Sequence, residues 1–159
     1  MNKTFSRITI FALACVCMLA ACGTTTRGGP PPRTSIEITG STAERVDKIT
    51  RILGAAAPTP LLDANFIEIK IGDGELGPSD YVRFAALKVD PASRDRWRAL
   101  SAPLIKKPDY AEPPSTPAWW VSQADYEKLS FYDAASLGLG DGWLGVADDG
   151  RVFLSTFTS

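Results

Sequence analysis

The period of the hydrophobic pattern changes along the chain, and a helical period comes first. Apolar residues recur every three or four positions in one stretch, at Val46, Ile49, Leu53 and Ala56. This spacing places them on one face of an amphipathic helix. Ser41 and Glu44 stand three residues apart in front of it, as in a capping box, where each side chain binds a free backbone N–H group. The pattern predicts a helix over about residues 42–55.

A period of two follows, and it predicts strands arranged as two hairpins. Residues 65–71 alternate between isoleucine and polar side chains, which is typical of a half-buried strand. Residues 81–89 resume a β pattern after a glycine-rich turn. Near the end of the chain, residues 143–147 and 151–157 flank the turn Asp148-Asp149-Gly150. Two β-rich runs around an Asp-Gly turn are a strong hairpin signal.

The chain between the two hairpins contains short helices and a proline-rich segment. Asp90 and Pro91 fit the first positions of a helix that carries Trp97 inward. Five prolines between residues 103 and 117 exclude a helix or an inner strand and predict an extended surface segment. Ser122 begins another short helix. We therefore predict an α+β fold, with a small antiparallel sheet built from two hairpins and with two or three helices.

The first residues have the composition of an export signal. Lys3 and Arg7 precede an apolar run at residues 8–21, which is about 14 residues long and short for a membrane span of roughly 20. The run ends in Leu-Ala-Ala followed by Cys22. This stretch resembles the lipobox of bacterial lipoproteins, and the resemblance implies cleavage before Cys22 and a diacylglyceryl group on its sulfur. An ordinary secretory signal or an uncleaved membrane anchor is the alternative.

The lipoprotein resemblance divides the chain into three parts. Residues 1–21 are the expected signal peptide, and residues 22–35 are the acylated cysteine with a Gly/Pro/Thr-rich tether. Residues 36–159 are the expected single globular domain. Each buried methylene group contributes about 0.8 kcal/mol, so two or three acyl chains hold a protein durably on a bilayer. The resemblance implies a lipid-anchored envelope protein, at the outer membrane facing the periplasm if the host is Gram-negative.

Charge and composition narrow the classes of function. Loss of residues 1–21 removes Lys3 and Arg7 but no acidic residue, which changes the net charge from −1 to −3. Nucleic-acid binders usually have a basic face, so we predict no nucleic-acid partner. The chain has no histidine, and Cys22 is its only cysteine after the signal. These absences exclude a Ser-His-Asp triad, a Cys-His pair and a zinc site of His and Cys ligands.

The same composition predicts that the protein is not an enzyme and holds neither a cofactor nor a metal. A hydrolase with paired carboxylates is the alternative, because that chemistry needs no histidine. Five carboxylates are available for it, namely Glu68, Glu75, Asp80, Glu112 and Asp125.

The candidate binding surface consists of Trp119, Trp120 and Tyr110. Adjacent side chains of an extended chain point to opposite sides, so one tryptophan can enter the core while its neighbour faces outward. An outward tryptophan could stack on a sugar ring of peptidoglycan or dock a protein partner. The alternative is that both tryptophans anchor the proline-rich segment to the core.

A second candidate surface is basic and would contact anionic lipid headgroups. It consists of Arg94, Arg98, Lys106 and Lys107. Arg94 and Arg98 share one face of the predicted helix, and a membrane-tethered domain is held close to headgroups. A solvated helix face, partly paired with Asp90 and Asp95, is the alternative.

We expect a non-catalytic envelope lipoprotein that is anchored to the bilayer through Cys22 and whose domain binds an envelope protein or has a structural role in the envelope. One alternative is a module that binds peptidoglycan or another carbohydrate through an exposed tryptophan. A second follows from the predicted helix, the stretch RILGAAAP and the strands behind it. These are similar to the small lipoprotein of the outer-membrane barrel-assembly machine, which implies an accessory subunit. The later elements depart from that family's plan, and no binding residue is carried over from it.

Overall fold

A computed structural model describes residues 33–72 and 79–158. These residues belong to one compact unit. Its strands and helices are β1 (Arg33–Glu37), α1 (Thr42–Leu53), β2 (Leu61–Ile71), β3 (Asp80–Val89), α2 (Arg94–Arg98), α3 (Gln123–Tyr126), β4 (Ser130–Asp133), β5 (Asp141–Val146) and β6 (Arg151–Thr158). Short 3-10 turns follow α1, precede α2 and link β4 to β5. In the part of the chain so described, no helix is long and apolar enough to span a membrane.

The six strands form one open antiparallel sheet in the order β1-β2-β3-β6-β5-β4. Both predicted hairpins are present, as β2 with β3 and as β5 with β6. Pairing of β3 with β6, from Tyr81 opposite Thr158 to Lys88 opposite Arg151, joins the hairpins into one sheet. The predicted α+β fold with an antiparallel sheet and three helices is therefore confirmed.

Helix α1 begins at the predicted capping box. The Glu44 carboxylate accepts the Ser41 backbone N–H at 2.8 Å, and the Ser41 hydroxyl accepts the Glu44 N–H at 3.4 Å. The helix ends at Gly54, which has a φ of 68°, a conformation that favours glycine. Ile49 and Leu53 are buried against the sheet, as the helical spacing predicts.

Both faces of the sheet are covered, since buried side chains alternate along the strands between two clusters. Helices α1 and α2 cover the first face, and Trp97 of α2 is fully buried there against strand residues such as Phe66 and Leu154. Helix α3 and residues 103–121 cover the second face, which includes Ile67 and Phe153. The molecule therefore has three layers, with the sheet in the middle.

Several boundaries differ from those expected. Strand β1 begins at Arg33, so residues 33–35, which were assigned to the tether, form part of the sheet. Strand β2 begins at Leu61 rather than near residue 65, and β4 was not predicted. The predicted signal peptide, Cys22 and the rest of the predicted tether lie outside the described residues.

Candidate binding site at Trp119

Three hydrogen bonds from aromatic side chains fix the path of the proline-rich segment. The Tyr126 hydroxyl donates to the Pro108 carbonyl at 2.6 Å, and the Tyr110 hydroxyl donates to the Val121 carbonyl at 2.8 Å. The Trp120 indole N–H donates to the Ala111 carbonyl at 3.0 Å. Proline has no N–H group and cannot donate to a strand ladder, so side chains hold most of this segment. Its first residues are attached to β4 through the backbone, since the Leu104 N–H donates to the Phe131 carbonyl at 2.9 Å and Pro103 bridges to Tyr132.

Trp120 is a core residue. It is 7% exposed, and its ring lies 5.3 Å from that of Phe84, 5.7 Å from Phe153 and 5.9 Å from Trp143. Such edge-on and tilted aromatic pairs stabilise a core beyond the area that they bury. The structure therefore removes Trp120 from the candidate binding surface, because its ring is enclosed by other side chains.

Tyr110 also serves to anchor the segment. Its ring packs against that of Tyr126, with the ring centroids 5.1 Å apart, and its hydroxyl donates to the Val121 carbonyl. Burial raises the pKa of Tyr110 to about 12, with a further contribution from the neighbouring Glu112 carboxylate. Burial likewise raises the pKa of Tyr126 to about 12, and Asp109 and Glu127 add to the effect. Both phenols thus stay protonated as donors at neutral pH.

Trp119, in contrast, is only partly buried and forms one side of a depression in the surface. Its ring packs edge-on against Trp120 at 6.0 Å, which fixes its orientation. The depression has a volume of about 130 Å³. The rest of its lining comes from three adjacent strands and consists of Asp63, Asn65, Ala86, Leu87, Lys88, Arg151 and Phe153.

The depression exists because a small residue occupies the central strand. Ala86 of β3 lies directly between Asn65 of β2 and Phe153 of β6 in the strand register. Its methyl group forms a low floor between two larger neighbours. Trp119 rises beside this floor, so the cover formed by the proline-rich segment leaves a gap at this end of the sheet.

A row of charged residues borders the depression. Lys88 lies opposite Asp63 on one neighbouring strand and opposite Arg151 on the other. The Asp63 carboxylate accepts a hydrogen bond from Arg45 at 2.5 Å, and Arg151 donates to Asp149 at 2.7 Å. Within residues 33–72 and 79–158, Lys88 forms no ion pair, and its side chain is exposed. The site therefore combines an aromatic wall, an amide and an exposed cation.

The predicted basic surface is divided between two locations. Arg94 and Arg98 share one face of α2, and both reach Asp95 and Asp148. These ion pairs connect α2 to the turn between β5 and β6. Asp90, expected to pair with them, instead accepts the Ala92 N–H as a helix cap.

The two lysines of the predicted basic surface lie on the proline-rich segment. Lys107 pairs with Glu127 and stands over the Tyr126 ring at 5.0 Å. Lys106 is exposed and follows Ile105, whose side chain is fully exposed. The structure therefore assigns three of the four basic residues to intramolecular ion pairs.

Three of the five carboxylates considered for catalysis are engaged in local contacts on separate elements. Glu68 accepts from Arg83 at 2.6 Å, and Glu112 accepts from Thr116 at 3.1 Å. Asp125 accepts from Lys128 and Ser122, which lowers its pKa. Asp80 is exposed at the start of β3, and Glu75 lies outside the described residues. In the portion of the chain with described structure, no three Asp, Glu, His or Cys residues form a potential metal site.

Sequence patterns indicated Trp119 but none of its polar neighbours. Asn65, Lys88 and Arg151 are ordinary polar positions of three strands, and only the register brings them together. No protein-family model matches the chain, and comparisons with curated proteins and with solved structures give no significant match.

Proposed function

We propose that this chain is a lipoprotein of the bacterial envelope whose folded domain binds a partner rather than catalysing a reaction. The observation that carries the proposal is Cys22 directly after Leu-Ala-Ala at the end of a short apolar run. A thioether-linked diacylglyceryl group on this cysteine anchors the domain to a bilayer.

The geometry of the domain supports the non-catalytic part. Three of the five carboxylates on which a hydrolase without histidine would depend, namely Glu68, Glu112 and Asp125, bind arginine, lysine, serine or threonine side chains on separate elements. Tyr110 of the proline-rich segment and Tyr126 of α3 have raised pKa values and donate to backbone carbonyls. These groups thus have structural roles, and the depression at Trp119 offers a place for recognition.

Metabolic labelling with a palmitate analogue tests the anchor. The wild-type chain is expected to take up the label and to fractionate with membranes, whereas Cys22→Ala loses both properties. Cys17→Ala is the matched control, because it also removes one thiol near the N-terminus but leaves labelling unchanged. An unlabelled wild-type protein, or a Cys22→Ala variant that is labelled as before, would contradict the proposal.

Crosslinking in intact cells tests the expected protein partner. A photoreactive side chain at position 105, which is fully exposed, is placed to trap a protein that docks on the proline-rich segment. Position 48, on the exposed side of α1, is the control. A discrete adduct from position 105 supports the partner. If that adduct contained a subunit of the barrel-assembly machine, it would favour the role of accessory subunit.

A further inference from the structure

We infer that the depression at Trp119 binds an acidic sugar residue, with its ring against Trp119 and its carboxylate between Lys88 and Arg151. This inference rests on the proposed function only in one respect, namely that the domain lies in the envelope, where it can meet glycans. The site itself depends on the fold alone. Its shape, its charges and its amide group all favour an acidic sugar.

The shape suits a single ring. A volume of about 130 Å³ is well below the roughly 300 Å³ at which pockets for drug-sized ligands begin. One side is the indole of Trp119, which packs at a right angle to the Trp120 ring, with the ring centroids 6.0 Å apart. A sugar ring has an apolar face of C–H groups that packs on such an aromatic surface, and its hydroxyls point to the rim.

The charges favour an anion. Lys88 and Arg151 lie directly opposite each other on β3 and β6, and like charges at opposed positions destabilise a sheet. Asp149 pairs with Arg151, and Asp63 already accepts from Arg45 at 2.5 Å. Lys88 has no ion-pair partner among the described residues, so a ligand carboxylate would supply one, and it could also accept a charge-assisted hydrogen bond from Arg151, which binds Asp149 through Nε.

The remaining polar group supports a saccharide over an acidic peptide. Asn65, on the far side of the Ala86 floor, offers an amide that both donates and accepts, as sugar hydroxyls do. A peptide strand would add to an open sheet edge. Beside the depression that edge is residues 61–66 of β2, which β1 does not pair, and the carbonyls of Ala64 and Phe66 there already accept hydrogen bonds from Arg45 and Ile38.

Calorimetric titration of the processed, lipidated chain tests the inference. The detergent is a polyoxyethylene ether, because a glycosidic detergent would compete for the site. The probes are tri-galacturonate, a neutral trisaccharide, acetate and a triglutamate peptide at low salt. We expect tri-galacturonate to bind, and we expect the other three probes to bind at least about tenfold more weakly, since none supplies both the ring and the charge.

Variants locate the binding. Trp119→Ala is expected to weaken tri-galacturonate binding by at least about tenfold, and Lys88→Gln by a similar factor. Lys48→Gln removes the same charge from the exposed side of α1 and should leave the affinity unchanged. Ala86→Val raises the floor and should abolish binding while circular dichroism shows the same fold.

The outcomes separate the possibilities. No heat with tri-galacturonate at about 10 mM, a concentration that detects even very weak sites, overturns the inference. Equal affinity of Lys88→Gln and Lys48→Gln overturns it as well. Triglutamate binding at least as tightly as tri-galacturonate would reassign the depression to a protein partner. Each of these results leaves palmitate labelling at Cys22 untouched, so the two proposals fail independently.

Discussion

Replacement of Trp120 by alanine is expected to destabilise the domain severely. The change removes an indole that contacts the rings of Phe84, Trp143 and Phe153 and that donates to the Ala111 carbonyl at 3.0 Å. Large-to-small changes of buried aromatic residues cost about 3–5 kcal/mol, of which the hydrogen bond accounts for about 1 kcal/mol. A domain of this size has a total stability of about 5–15 kcal/mol, so the loss is a substantial fraction.

The measurement is urea denaturation followed by far-ultraviolet circular dichroism, on a chain that begins at residue 22 and carries Cys22→Ser. Tryptophan fluorescence is unsuitable, because the substitution removes one of the fluorophores. Trp119→Ala is the matched control, since the neighbouring indole is only partly buried and its loss should cost about 1 kcal/mol. Trypsin adds a local measurement, because a released proline-rich segment is cleaved faster after Lys106.

A small loss of stability in Trp120→Ala, or a loss no larger than in Trp119→Ala, would contradict the core position of Trp120. If Trp120→Ala lowered the free energy of unfolding by less than about 1 kcal/mol, the indole could not be the buried centre of the second face. The same conclusion would follow if the two tryptophan variants were equally stable. The proline-rich segment would then be held by other contacts, and the placement of Trp119 beside the depression would lose its support.

Three further predictions concern backbone geometry, pH and capping. Gly142 has a φ of 145°, and a Cβ atom there would lie 2.1 Å from the Ser155 carbonyl oxygen. Gly142→Ala should therefore lower the free energy of unfolding by at least about 2 kcal/mol in the same urea assay. Gly138→Ala is the control and should cost about 1 kcal/mol, because Gly138 has a φ of 68° but open space around a Cβ atom. Tyr126 holds its proton up to a pKa of about 12, compared with 10.0 in the unfolded chain, so its contribution to stability is complete below pH 10 and is lost as the pH rises to 12. Tyr126→Phe should lower the free energy of unfolding by about 1 kcal/mol at neutral pH. Between pH 10 and 12, this variant should lose less stability than the wild-type protein does. Urea titrations at a series of pH values measure both effects. Ser41→Ala should lower the stability by about 1 kcal/mol through loss of the cap of α1, which thermal unfolding would show; an unchanged midpoint would contradict the role of the capping box.

The elements predicted correctly are those whose signals are local. Helix α1 has a cap, an apolar face and a terminating glycine within a short stretch. The hairpin of β5 and β6 has an Asp-Gly turn between two β-rich runs. Strand β1 lacks such a signal. All its residues are exposed, so its sequence does not alternate between apolar and polar side chains. Strand β4 is four residues long and gives too short a pattern for its period to be recognised.

The arrangement of the site could not be predicted, because it depends on contacts between distant parts of the chain. Pairing of β3 with β6 brings Lys88 opposite Arg151, and no local pattern encodes that register. Trp119 was identified by its chemistry, yet which of two adjacent tryptophans enters the core is decided by the packing of Trp120 among the rings of three strands. Polar residues that line the depression were indistinguishable from other exposed strand positions.

The depression follows from the way in which this sheet is covered. Helices α1 and α2 bury large side chains on the first face. On the second face, much of the cover is a proline-rich segment. It is attached by one backbone hydrogen bond, from Leu104 to Phe131, and by a few side-chain hydrogen bonds, and strand residues away from these contacts stay uncovered. A helix in the same place would present side chains every three or four residues and would fill the space over Ala86. The proline-rich segment therefore does more than connect two elements, because the gap that it leaves over Ala86 is the concave, polar surface beside Trp119.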